Sequence, residues 1–142
     1  MDYGKAFAIS AAGMGVERTR VEVAAANLAN ANVALGADGQ GYQPMRVVVR
    51  NGAAPAAFGR HVEGALAAPL ASIVPGSGTV RTAFEPGHPL ADARGFVSYP
   101  AVDPATEMVT LMGAMRSYEA NVAAMNVTRA LAQKTLEIGG KS

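Results

Sequence analysis

Cysteine and tryptophan are both absent from this chain of 142 residues. Without cysteine there is no disulfide frame and no thiolate zinc site, and such a chain suits surroundings whose redox state changes. Aromatic residues are scarce, at 6%. The chain is 50% hydrophobic, but alanine supplies much of that. Alanine buries little area, so a single domain of this length builds only a thin core. A thin core points to an extended shape or to stability borrowed from partners. Clustered positive charge is missing too: the formal net charge is +1 and Lys and Arg are scattered, which argues against a phosphate-led nucleic-acid binder. No apolar run approaches the roughly 18 residues that a membrane-spanning helix needs, so no direct membrane insertion is expected. At the N-terminus Asp2 and Lys5 are mixed with Gly and Ser, unlike a cleavable signal peptide.

Catalytic and metal-binding patterns are equally thin. The two histidines, His61 and His88, have no His, Cys or carboxylate at ligand spacing, so surface or turn positions are expected and no metal site. "GMGVER" (13–18) begins like a dinucleotide fingerprint, but Arg18 stands where the third glycine belongs and no strand precedes it. "GGKS" (139–142) lacks the leading glycine of a phosphate loop. The serines have no nucleophile-elbow context. An enzyme is not expected, nor any cofactor.

What the chain does have is periodicity at both ends. Phe7, Met14, Val21 and Leu28 recur every seven residues, with Ala11 and Ala25 four after the first and third. This is a narrow helical stripe, closer to a coiled-coil seam than to the face of a globular core. Gly13 and Gly15 weaken its first half by about 1 kcal/mol each relative to alanine. Residues 1–30 are therefore expected to be largely disordered in a free monomer and to order on assembly. Near the other end, "VDPATE" offers Asp103 as N-cap, Pro104 at the first helical position and Glu107 in the first turn. Met108, Met115, Val122, Arg129 and Leu136 then recur every seven; Leu111, Tyr118, Met125 and Ala132 follow three after the first four. Gly139-Gly140 stops the pattern. The helix so defined, 104–138, spans about 52 Å.

The middle differs in composition. Residues 33–102 hold most of the glycine and all but one of the prolines. "YQPMRVVVR" (42–50), "ASIV" (71–74), "TVRTAF" (79–84) and "GFVSY" (95–99) read as short strands between turn-forming runs, and "NGAAPAAFGR" (51–60) as loop. The expected fold is mainly α with a small β region. Paired, coiled-coil-like terminal helices in 1–32 and 103–142 are joined by an irregular β-rich segment, 33–102.

"EVAAANLANAN" (22–32) raises a separate question, because asparagine is a poor helix former set here in alanine. Asn30 or Asn32 could simply end the helix. Alternatively Asn27, Asn30 and Asn121 hydrogen-bond across helices and fix register. On the second reading Asn27→Ala leaves the monomer unchanged and weakens assembly.

Three stretches then resemble a known family. "FEPGHPLADARGFVSYPAVDPATEM" (84–108), "MRSYEANVAAMN" (115–126) and "VEVAAANLANAN" (21–32) resemble, in order, motifs of the flagellar basal-body rod proteins, and within them the C-type proximal branch of this axial family. Phe84-Glu85 stand where that family usually has Tyr-Asp, and Ala101 where it has Asn; only about 51–80 lacks clear motifs. The resemblance implies a structural subunit of the proximal rod, exported without cleavage through the flagellar type III apparatus. It implies a helical polymer built through the terminal helices, which crosses the periplasm and transmits torque. Its implied partners are copies of itself, other rod proteins, and membrane-ring and export-gate components at the rod base. The assembly interface expected is Phe7, Met14, Val21, Asn27, Leu28 and Asn30 on the first helix, and Met108, Leu111, Met115, Tyr118, Asn121, Val122 and Met125 on the second. The alternatives are another rod or hook-type subunit, or a soluble coiled-coil adaptor or export chaperone.

Overall fold

The computed structural model describes residues 3–36, 38–51 and 69–139. Helix α1 spans Tyr3–Asn30 and helix α2 spans Pro104–Gly139. Between them lie four strands: β1 (Met45–Asn51), β2 (Pro69–Pro75), β3 (Arg81–Phe84) and β4 (Phe96–Tyr99). β1 pairs with β2 and β3 with β4, making two separate two-stranded sheets. The expected mainly helical fold with a small β region is what forms, and each strand candidate contains or overlaps one observed strand. The loop reading of 51–60 and the reading of His61 fall outside the described residues, except that Asn51 ends β1.

The chain divides into two compact units. One comprises Met1–Thr19, Val48–Ser72 and Gly113–Ser142; the other comprises Arg20–Val47 and Ile73–Met112. In the first, α1 and α2 run antiparallel: the Tyr3 and Thr135 hydroxyls lie 3.0 Å apart, and Gly13 faces Asn121. A Cβ on Gly13 would sit 2.9 Å from Asn121 Oδ1, so the glycine that costs helix propensity lets a side chain of the facing helix come close. Val16 and Ala114 are the buried apolar residues here.

The second unit is built around the hairpin β3–β4, antiparallel with Arg81 opposite Tyr99 and Phe84 opposite Phe96. Its buried apolar side chains are Ala24, Ala31, Leu35, Val97, Tyr99, Pro100 and Val102. The long connection 85–95 closes on Asp92, whose Oδ1 accepts from the backbone N–H groups of Arg94 and Phe96 at 2.8 and 2.9 Å. Gly95 completes the closure at φ +82°, where a Cβ would meet the Phe84 ring at 2.9 Å. His88 is a turn residue, its Nδ1 accepting from the Leu90 N–H at 3.1 Å.

Two features of the helices differ from the stripes read in the sequence. The buried line of α1 runs through Val16, Ala24 and Asn27, whereas Phe7, Met14, Val21 and Leu28 are only half-buried, about a third of a turn away. The line of burial thus includes a polar residue, Asn27, and the seven-residue apolar stripe flanks it. On α2 the half-buried Leu111, Val122 and Met125 lie to the packed side, while Met108, Met115 and Tyr118 are exposed. A strict seven-residue repeat drifts about 20° per heptad on a straight helix, so it cannot keep one stripe against one partner over 36 residues.

Candidate functional site

The most constrained polar group is Asn27, which is 1% exposed. Ala24 and Ala31, each one turn away and both buried, hold the α1 backbone close to its surroundings, so the Asn27 amide projects into an interior. A primary amide offers two N–H donors and two acceptor positions, and all four are used. Nδ2 donates to the Met45 carbonyl at 2.9 Å and to Glu107 Oε1 at 3.1 Å. Oδ1 accepts from the Tyr42 hydroxyl at 2.7 Å and from the Met45 N–H at 3.0 Å. One side chain thus joins α1, the segment entering β1, and the first turn of α2, all within the second unit.

Each partner is placed by its own local chemistry. Pro44 has no N–H to give and ends the approach to β1; its carbonyl accepts from Gly76 N–H at 2.8 Å. The strand therefore starts at Met45 rather than Tyr42, leaving the Tyr42 hydroxyl to reach back to Asn27. Burial, and then the negative charge of Glu107, push the Tyr42 hydroxyl pKa above its ordinary value, so it stays a donor at physiological pH. Glu107 is fixed by the start of α2, where Asp103 caps the helix as expected: its carboxylate accepts from the Ala105 and Thr106 N–H groups, each at 3.3 Å, and from the Thr106 hydroxyl. The Thr106 hydroxyl first, then the Ala105 N–H, hold the Asp103 carboxyl below the usual carboxylate range against a smaller opposing effect of desolvation.

A second polar group secures the end of α1. Arg81 Nη2 donates to the Ala31 carbonyl at 3.2 Å and to Asn32 Oδ1 at 2.9 Å. The same guanidinium lies 5.3 Å from the centre of the Tyr99 ring, within cation–π range. The Tyr99 hydroxyl donates to both carboxylate oxygens of Glu85 at 3.1 Å. Arg81 supplies the cation that suits a helix C-terminus, and Asn32 is its anchor.

Of the three asparagines expected to bond across helices, Asn27 does so within the single chain, to Glu107 of α2. The Asn30 amide donates back to the Ala26 carbonyl at 2.8 Å and the Asn121 amide to the Ser117 carbonyl at 3.0 Å. Both are bonds within their own helix, the habit of a short polar side chain four residues on. Asn30 is the last residue of α1. The sequence reading missed Tyr42 and Arg81, which it placed in strands, and saw Glu107 only as a first-turn acid.

The remaining feature is apolar. On α2 the large side chains Met108, Val109, Met112, Met115, Tyr118, Val127, Leu131, Leu136 and Ile138 are all exposed. Ala114 is the one buried residue of that helix among those described. Among the described residues no group of three or more His, Cys, Asp or Glu is placed to hold a metal, and no helix is long and apolar enough to cross a membrane.

The chain has known relatives in sequence. Residues 93–138, which include most of α2, match the family model for the flagellar basal body rod FlgEFG protein C-terminal region. The flagellar basal-body rod protein FlgC of Escherichia coli O6:H1 is 40% identical over 133 residues, covering 94% of this chain and 95% of its own. FlgC of Bacillus subtilis is 32% identical, covering 92% and 94%, and FlgC of Aquifex aeolicus is 33% identical, covering 96% and 97%. Identity at this level over nearly the full length of both chains shows that this chain belongs to the flagellar basal-body rod protein FlgC family.

Proposed function

We propose that this structural subunit of the flagellar basal-body rod assembles through its two terminal helices and carries torque along their packed lengths. The observation that supports this reading is the state of α2. A helix of 36 residues with one buried residue and nine large apolar side chains in solvent is out of place in an isolated chain. A helix that is apolar around much of its circumference belongs in an interior, and neighbouring subunits would supply one. Exposed aliphatic side chains return about 25 cal/mol for each Å² that association covers. The proposed interface combines the flanking Phe7, Met14, Val21 and Leu28 of α1 with the exposed faces of α2. Asn27 serves it indirectly, by fixing the start of α2 against the end of α1.

The reading includes terminal segments 1–32 and 103–142 as the rod core, with 33–102 as the Gly- and Pro-rich β region that joins them. Other rod subunits, and ring and export components at the rod base, are the proposed partners, reached by export without removal of the N-terminal residues. The test is to isolate basal bodies and probe them with antibody to this chain. Labelling confined to the rod, by a subunit whose first residues are intact by mass spectrometry, is expected. A chain found only as a discrete cytoplasmic oligomer would overturn the reading.

A further inference from the structure

Three of the seven methionines stand together on α2. Met108, Met112 and Met115 are spaced by four and three, so the geometry of that one helix places them on a single ridge. They are 54, 58 and 50% exposed, against 38% for Met45. Met14 and Met125 are half-buried. The chain has no cysteine, so methionine is its only sulfur open to oxidation, and this ridge holds its most accessible thioethers among the described residues.

We propose that Met108, Met112 and Met115 form an oxidation site whose reagent is a hydroperoxide, and that sulfoxide formation there blocks entry of the subunit into the rod. The chemistry needs no cofactor. A thioether lone pair attacks one peroxide oxygen, the S–O bond forms and the O–O bond breaks. The departing oxygen leaves as hydroxide and, with the proton lost from the transferred oxygen, becomes water. Sulfur is oxidised by two electrons and the peroxide is reduced by two. The product is a polar, chiral side chain where an apolar, flexible one stood. A sulfoxide oxygen is a strong acceptor, and covering it without a donor is unfavourable. Three on one ridge would turn an apolar contact surface into one better left in water. Methionine sulfoxide reductases reverse the change, so the ridge would report oxidation rather than record permanent damage. The consequence for assembly rests on the rod reading above; the site itself does not.

The test has two arms. The purified full-length chain is exposed to limiting hydrogen peroxide and each methionine is followed by peptide mass spectrometry. Met108, Met112 and Met115 are expected to gain oxygen several-fold faster than Met14 and Met125, with Met45 between the two groups; equal rates at all six would overturn the site. In the second arm, cells carrying either the wild-type chain or the M108L/M112L/M115L variant, whose volume and apolarity are close to native, build flagella with and without mild peroxide. New basal bodies are counted as a fraction of each strain's own peroxide-free number. The wild-type fraction is expected to fall several-fold while the variant fraction stays near one. Equal loss in both would overturn the effect on assembly. Selective oxidation of a chain that never appears in basal bodies would reject the rod reading and leave the site standing.

Discussion

The Asn27 amide is saturated, and its partners lie in the same chain. Removing it strands the Tyr42 hydroxyl, one oxygen of Glu107 and both backbone groups of Met45. A buried polar group left without a partner costs about 1–3 kcal/mol, against a gain of roughly half a kcal/mol from alanine's helix propensity. Asn27→Ala is therefore expected to destabilise the free subunit by about 1–3 kcal/mol. This corrects the expectation that the monomer would be unaffected. Tyr42→Phe removes one of the two donors to Oδ1 and leaves Met45 N–H in place, so a smaller loss of about 0.5–1.5 kcal/mol is expected. Urea denaturation of both variants measures the difference; Asn27→Ala as stable as wild type would mean that water replaces the whole hub. The sequence made Asn27 conspicuous because an amide inside an alanine run is costly. It did not reveal the partners, because Tyr42 and Glu107 lie 15 and 80 residues away and neither carries a local signature of the pairing.

Elements show where sequence reading works and where it stops. The start of α2 was legible from Asp103-Pro104, since capping depends on residues a few positions apart. The strands were legible from apolar runs bounded by Gly and Pro. Which faces are buried was not legible, because the buried line of α1 includes Asn27 and because a glycine, Gly13, is what faces Asn121. The two α1 glycines illustrate this. Gly15 has nothing within 4 Å of the place a Cβ would occupy, so Gly15→Ala should stabilise by roughly 0.5–1 kcal/mol through helix propensity alone. Gly13→Ala has the same propensity to gain but must displace the Asn121 amide, and so should gain clearly less or lose. Equal gains in thermal denaturation would show that the approach at Gly13 is loose. The α2 cap also has a pH signature. Asp103 in the folded chain titrates below its ordinary 3.8, so its contribution is fully present above that value and is lost as pH falls through the lowered one. The amide signals of Ala105 and Thr106 should shift in that acid range in wild type. In Asp103→Asn, which caps without titrating, the shift should be absent; if it persists, another group is responsible.

For the molecule as a whole, burial is uneven along α1. Among its described residues none before Val16 is buried, while Ala24 and Asn27 are almost completely so. Order is therefore expected to reach back from the Asn27 hub and fade toward the N-terminus, which narrows the expectation of disorder from residues 1–30 to about the first half of the helix. Amide exchange on the dilute subunit should show rapid exchange over 3–15 and protection around 24–31; uniform protection would show that α1 is stable throughout before assembly. Met115 then separates folding from assembly. Half of its surface is in solvent in the single chain, so Met115→Lys should change the stability of the free subunit by no more than about 0.5 kcal/mol. In the rod the introduced ammonium would be covered by a neighbour and left without a counter-charge, and removing an unpaired charge from water costs several kcal/mol. The expected phenotype is a subunit that folds and is exported normally but does not enter the rod, leaving cells non-motile. The measurements are denaturation of the purified variant, its amount outside the cytoplasm, and its presence in basal bodies. Normal motility with the Met115→Lys subunit incorporated would show that this face of α2 meets solvent in the finished rod, and the assembly surface would then have to be sought on the side bearing Val127, Leu131 and Ile138.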